Sequence, residues 1–185
     1  MKQWLVVSGK GGTGKTSVTA AFAVIAEDVL LADCDVDAAD LHLIAEPEVL
    51  ETTDFYAGYT ACIDQAKCTQ CGLCHELCKF DAINIDSNNR FEIDEMACEG
   101  CLVCHHFCPV DAIQVEENKC GVWHKSKTRF GNMVHAHLFP GSENSGKLVA
   151  CVRENTEAAA SEHNVEQILI DGPPGVGCPV ISSMT

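Results

Sequence analysis

A chain of 185 residues is long enough to bury a core and sets an expectation of one domain or slightly more. Its formal net charge of −15 argues against nucleic acid or an anionic membrane surface as a general partner. Thirteen cysteines, with no export signal and no run approaching the ~20 apolar residues of a membrane span, point to metal ligation in the cytoplasm rather than to disulfides.

The first apolar run, Trp4-Leu5-Val6-Val7, reads as a short strand, and a helix-like run follows from Lys15 to about Ala26. Between them Gly9 to Thr16 fits the phosphate-loop pattern G-x-x-x-x-G-K-S/T. Gly9, Gly11, Gly12 and Gly14 let the backbone N–H groups of the loop, Lys10 and Thr13 included, turn toward one anion. The helix start at Lys15, Thr16 and Ser17 adds free N–H donors and a partial positive charge. Lys15 is expected to reach the β- and γ-phosphates of ATP or ADP, and the Thr16 hydroxyl to ligate Mg²⁺. A glycine-rich turn before a helix can be mere punctuation, but the terminal Gly14-Lys15-Thr16 and the flanking elements favour phosphate. The extra Lys10 makes this loop resemble the deviant phosphate loop of the MinD, Mrp and nitrogenase iron protein superfamily. That resemblance implies a Lys10 that enters a partner subunit's nucleotide site, and hence an ATP-dependent homodimer; a solvated loop lysine is the bland alternative.

Val29-Leu30-Leu31-Ala32 reads as a buried parallel strand, followed by Asp33, Asp35, Asp37 and Asp40. Carboxylates at the carboxyl end of such a strand sit where an open α/β sheet binds its ligand, and can hold Mg²⁺ or its waters. The same resemblance makes this loop the first switch, with Asp35 positioning the attacking water or the Mg²⁺ and Asp33 supporting it. From Glu46 to Tyr59 the pattern weakens, and the segment reads as a connection.

An internal repeat follows, at a constant offset of thirty residues. Ile63-Asp64 recurs as Ile93-Asp94, Asp81-Ala82-Ile83 as Asp111-Ala112-Ile113, and C-x₂-C-x₂-C-x₃-C occurs in each half. Three cysteines at that spacing wrap one face of a cubane; the fourth follows a helical turn and points to the other cluster. The expected sets are Cys68, Cys71, Cys74 and Cys108 for one 4Fe–4S cluster, and Cys98, Cys101, Cys104 and Cys78 for the other. Zinc competes for four-cysteine sites, but two complete four-cysteine runs differ from the paired C-x₂-C of zinc ribbons. Gly72 and Gly100 suit backbone approaching sulfur, and residues 60–117 resemble bacterial two-cluster ferredoxins. Lys79 departs from the proline that often follows the fourth cysteine and sets a cation near a cluster. His75, His105 and His106 read as surface or helix positions, because the ligand sets are already complete.

Lys119 to Arg129, around Trp123, gathers Lys119, Lys125, Lys127 and Arg129 and reads most simply as a solvated hairpin. Met133 to Leu138 alternates, placing His135 and His137 on the face opposite Val134, Ala136 and Leu138. Two histidines there could bind metal only with a third ligand. Lys147 to about His163 reads as a helix and Gln167 to Ile170 as a further buried strand. That strand runs into Asp171-Gly172-Pro173-Pro174-Gly175, which resembles the second switch of the same superfamily. The resemblance implies an Asp171 that organises the Mg²⁺ water shell and a Gly175 N–H offered to the γ-phosphate. Cys34, Cys62, Cys120, Cys151 and Cys178 are left over and default to buried apolar use; Cys178 alone invites comparison with the subunit-bridging cysteine of the nitrogenase iron protein.

The expected architecture is a phosphate-loop α/β unit, residues 1–57 and 118–185, interrupted by a two-cluster ferredoxin module at 58–117. With strands expected only near residues 4–7, 29–32 and 167–170, the sheet would be short, which suggests an incomplete chain. The resemblance implies an ATPase that couples nucleotide state to electron transfer through two 4Fe–4S clusters, toward an unidentified redox or apo-protein partner. An iron–sulfur assembly or carrier ATPase and a redox-sensing positioning ATPase are the alternatives. The cobyrinate amide-forming branch lacks its glutaminase domain here.

Overall fold

The computed structural model describes residues 1–26 and 28–184. Thr185, the last residue of the expected third segment, lies outside the described residues. In chain order the elements are β1 (Lys2–Ser8), α1 (Lys15–Ile25), β2 (Val29–Asp33), α2 (Leu41–Ala45) and β3 (Glu48–Ile63), then α3 (Leu73–Leu77), β4 (Ile83–Ile85), β5 (Phe91–Ile93) and α4 (Val103–His106). They continue with β6 (Ile113–Thr128), β7 (Gly131–Leu138), α5 (Ser145–His163), β8 (Gln167–Pro174) and α6 (Cys178–Met184). The chain divides into two units, one of Met1–Phe55 with Cys120 onward and one of Tyr56–Lys119.

The first unit is built on a mixed sheet, ordered β1-β8-β2-β7-β6-β3. β1 pairs β8, β8 pairs β2 and β2 pairs β7 in parallel, while β7 turns back antiparallel to β6. All five residues of β2 are buried, as a strand covered on both faces requires. Ala20 and Ala23 of α1 join Leu31, Leu41, Met133 and Leu169 in one cluster, and α5 buries Leu148, Val149 and Val152. Fully buried Leu30, Leu31, Ile168 and Ile170 each contribute on the order of 1.5–3 kcal/mol by leaving water. Register then sets the site: Asp33 lies opposite Asp171 on one side and opposite His135 on the other.

Several expectations change here. Residues 46–59 are not an irregular connection, because most of them belong to β3. At the end of the sheet β3 is exposed along much of its length, and the alternation that marks a half-buried strand is confined to residues 53–58, where Thr53, Phe55 and Ala57 are half-buried. Its β-branched and aromatic content, Val49, Thr52, Thr53, Phe55, Tyr56 and Tyr59, was the available signal. The basic stretch does form a hairpin, β6 to β7, but not a solvated one, since Trp123, Ser126 and Thr128 are buried. Nor does β7 show one polar face: Met133, Val134, His135 and Ala136 are all buried, because the strand lies inside the sheet. With β7, β6 and β3 added to it, the sheet is not short.

In the second unit the thirty-residue repeat is a repeat of backbone conformation. Gln70 and Gly100 share φ of 58° and 59°, Gly72 and Leu102 have 80° and 64°, and Asp81 and Asp111 have 52° and 48°. Hydrogen bonds cross between the halves: Asp64 N–H donates to Ala112 O at 2.7 Å, and Asp94 N–H to Ala82 O at 2.8 Å. The carboxylates of Asp64 and Asp94 each accept the N–H two residues on, from Ala66 at 3.0 Å and Met96 at 2.9 Å. These Asx turns fix the entry to each cysteine loop. The unit boundaries fall two residues from those expected, at 55/56 and 119/120, because β3 and β6 continue through them without a break.

Candidate functional site

The phosphate loop leaves β1 at Ser8 and enters α1 through Gly14, whose φ of 89° lies in the left-handed region that favours glycine. Two hydroxyls fold the loop onto one carbonyl, with Ser8 Oγ donating to Lys10 O at 2.7 Å and Thr13 Oγ1 at 3.2 Å. A Cβ placed on Gly9, Gly11, Gly12 or Gly14 would meet nothing within 4 Å, so these glycines are not required by packing. The space beside these four glycines is open. Lys10, Gly11, Thr13 and Ser17 are exposed, whereas Lys15 is buried and Thr16 half-buried.

Behind the loop stand three buried carboxylates. Lys15 Nζ lies 3.5 Å from Asp35 Oδ2, an ion pair shielded from solvent. Asp33 accepts the backbone N–H groups of Asp35 at 3.1 Å and Leu41 at 3.3 Å, which pins the loop after β2 and the start of α2. Asp171 accepts the Thr19 hydroxyl at 3.1 Å on Oδ1, while its buried Oδ2 has no hydrogen-bond partner. Burial, with the Asp171 charge beside it, holds the Asp33 carboxyl well above the usual carboxylate range. Burial also raises Asp35 against the pull of Lys15, and Asp171 against the pull of the Thr16 and Thr19 hydroxyls. Lys15 thus pairs with one of the three carboxylates, and one buried oxygen of Asp171 is orphaned.

A hard cation fits that deficit. Among the described residues, no three His, Cys, Asp or Glu side chains form a cage for a metal ion. This suits Mg²⁺, which keeps several waters and binds through one or two protein oxygens plus substrate phosphates. Thr16, Asp35 and Asp171 are the residues that would hold it.

Two sequence-based assignments change. Gly175 does not present a free N–H, because it donates to Ser8 O at 2.9 Å and so ties the end of β8 to the start of the phosphate loop. Asp33 is a structural anchor rather than a free support for water. Thr19 escaped notice, although a threonine one turn after Lys15, among alanines that face the core, is a polar group that needs a partner.

A prediction follows from the raised carboxyl groups. Where a carboxyl's folded pKa exceeds its unfolded value, the folded chain holds more protons, and stability falls as pH rises from about 4 through the raised values. Thermal unfolding without nucleotide or Mg²⁺ should show this loss. Asp171→Asn should flatten the slope and stabilise the nucleotide-free protein near neutral pH by roughly 1 kcal/mol. An unchanged slope would mean that Asp171 is neutralised in some other way.

The cysteine loops make two cavities. Cys68, Cys71, Cys74 and Cys108 line one, about 350 Å³ of space partly open to solvent. Cys78, Cys98, Cys101 and Cys104 line the other, about 370 Å³. The rest of each wall is mainly apolar, with Ala112 and Ile113 in the first matched by Ala82 and Ile83 in the second. Four thiol donors around an apolar hollow fit a 4Fe–4S cubane. Burial, with the neighbouring thiols, raises Cys74 and Cys104, so ligation must supply the charge that stabilises their thiolates. Gly100 is required by chain rather than by sulfur, because a Cβ there would strike the backbone carbonyl of Tyr59.

His105 Nδ1 bonds to Ile113 O at 2.6 Å, and His75 packs its ring on Phe91. His135 and His137 are not brought together: His135 is buried against Ser126, with its Nε2 at 2.8 Å from Oγ, while His137 is exposed. The ring nearest His135 is that of His124, 4.9 Å away. Of the leftover cysteines Cys34 and Cys120 are buried, but Cys62 and Cys178 are exposed, against the default.

Residues 61–115 match the family described as a 4Fe-4S dicluster domain. An uncharacterized protein of Methanocaldococcus jannaschii is 35% identical over 185 aligned residues, which cover 97% of this chain and 62% of that protein. Among solved structures, the cell division ATPase MinD of Pyrococcus furiosus aligns over 99% of this chain and 54% of its own, with 19% identity and a TM-score of 0.41. The chain thus spans less than two thirds of the length of either. A dicluster ferredoxin domain lies within a mixed α/β chain that carries a phosphate-loop motif.

Proposed function

We propose that the protein is an ATP-binding iron–sulfur protein in which nucleotide state controls electron transfer through two resident 4Fe–4S clusters. The observation that carries this reading is the pair of cavities, each lined by all four cysteines of one crossed set, in a chain that also holds a phosphate loop backed by an orphaned carboxylate. Complete protein ligation favours clusters that stay over clusters handed on. When bound, the clusters supply one-electron storage, and Mg²⁺ supplies charge neutralisation at the phosphates.

The chain's own residues then do the following. The loop's backbone N–H groups and Lys15 hold the β- and γ-phosphates. An incoming phosphate gives Lys15 a second anion and frees Asp35 from its ion pair, so Asp35 becomes available to orient water or metal. Asp171 and Thr16 fix the hydration shell, and Thr19 fixes Asp171. Lys10, exposed at the lip of the loop, is the residue that would reach a second copy's nucleotide in an ATP-dependent dimer. No helix among the described residues is long and apolar enough to cross a membrane.

The test follows the cluster signal by low-temperature electron paramagnetic resonance in anaerobically purified protein, with ADP and then with a non-hydrolysable ATP analogue. A nucleotide-dependent change in spectrum or potential supports the reading. Clusters indifferent to nucleotide would overturn it, and iron that then passed to an apo-acceptor would favour the assembly role.

A further inference from the structure

We propose that Glu99 makes the two cluster sites unequal, so that an electron entering the module is held at the Cys68, Cys71, Cys74 and Cys108 site. This rests on the reading that each cavity holds a 4Fe–4S cluster. The thirty-residue offset pairs the walls position by position: Ile63 with Ile93, Val110 with Phe80, and Thr69 with Glu99. Cysteines aside, Glu99 is the one ionisable residue lining either cavity. It follows the ligand Cys98 directly, whereas its counterpart Thr69 is neutral. Reduction adds one negative charge to a site, and the Glu99 carboxylate, exposed to solvent like Thr69 but lining the cavity beside the ligand Cys98, opposes that addition.

Hydrogen bonds to sulfur act in the same direction. Gln70 N–H donates to Cys68 Sγ at 3.4 Å, and Ala112 N–H to Cys108 Sγ at 3.3 Å, both at the first site. The equivalent pairs, Gly100 with Cys98 and Ala82 with Cys78, show no such bond among the described residues. Bonds of this kind stabilise the more negative, reduced state. Other charges in the loops are divided: Gln65 corresponds to Glu95 and Lys67 to Ala97, in agreement, whereas Glu76 corresponds to His106 and Lys79 lies next to Cys78, against the trend. Neither Glu76 nor Lys79 lines a cavity. Exchange between the sites balances in itself, since one electron lost at the Glu99 site is one gained at the other and no proton or co-reactant enters.

The experiment uses the full chain, purified anaerobically, with iron and sulfide counted before a redox titration is followed by paramagnetic resonance. Cys101→Ser marks the second site's signal. The wild type should titrate in two steps, the lower at the second site. Glu99→Gln should raise that lower step alone, increasing the reduced-to-oxidised ratio at fixed potential about threefold, or ~28 mV for one electron. Thr69→Glu should lower the upper step. Eight irons bound with a Glu99→Gln titration superimposed on the wild type, or a shift in the upper step, would overturn the proposal and leave the two-cluster reading intact. Fewer than eight irons in the wild type would sink both.

Discussion

Replacing Lys15 with alanine is expected to weaken ADP and ATP binding by about 100-fold or more, equivalent to ~2.7 kcal/mol. The buried ammonium is ion-paired with Asp35, one of the three carboxylates behind the loop, and the phosphates lose their main counter-charge with it. The same change should also destabilise the nucleotide-free protein. Asp35 would then face Asp171 and Asp33 with no cation, and breaking one side of a buried pair costs roughly 3 kcal/mol unless the carboxyl takes up a proton. Its already raised pKa makes that proton uptake the easier route, so the loss should be smaller at low pH than at high. Lys15→Ala with Asp35→Asn should recover most of the stability and none of the binding, a non-additive pair as expected for direct contact. Calorimetric titration with Mg·ADP and thermal unfolding measure the two effects separately. Nucleotide binding undiminished in Lys15→Ala would remove the phosphate loop from the proposed function.

The site was legible where chemistry forces a local pattern. A loop that must aim consecutive N–H groups at one anion needs its glycines and its terminal lysine in sequence, so Gly9 to Thr16 could be read directly. A cubane held by three residues of one loop needs fixed spacing, and the repeat supplied it twice. What could not be read depends on neighbours distant in the chain. The commitment of Gly175 N–H to Ser8 O joins the two ends of the phosphate loop's surroundings, and nothing in Asp171 to Gly175 announces it. The role of Thr19 depends on Asp171, 152 residues later. β3 was missed for a different reason: few of its residues are buried and its alternation is confined to residues 53–58, so residue type was the main signal left. The burial of His135 could not be read either, because alternation within one strand does not reveal that the strand lies inside the sheet, between β2 and β6.

The crossed ligation provides the other large effect. If Cys108 completes the site begun by Cys68, Cys71 and Cys74, then Cys108→Ala should remove that cluster and spare the one at Cys98, Cys101 and Cys104. Cys78→Ala should do the reverse. Each variant should bind about four irons instead of eight, the cost of losing one of four thiolates from a cubane. Uncrossed ligation predicts the opposite pairing, so the experiment turns on which signal survives, identified by its response to Glu99→Gln or Thr69→Glu. Because the halves are tied by Asp64 to Ala112 and Asp94 to Ala82, each variant should also lower the module's unfolding temperature, ligand binding and folding being linked. Survival of the Cys68, Cys71 and Cys74 signal in Cys108→Ala would refute the crossing. It would also require the two cavities to be partitioned differently from the way their walls are built.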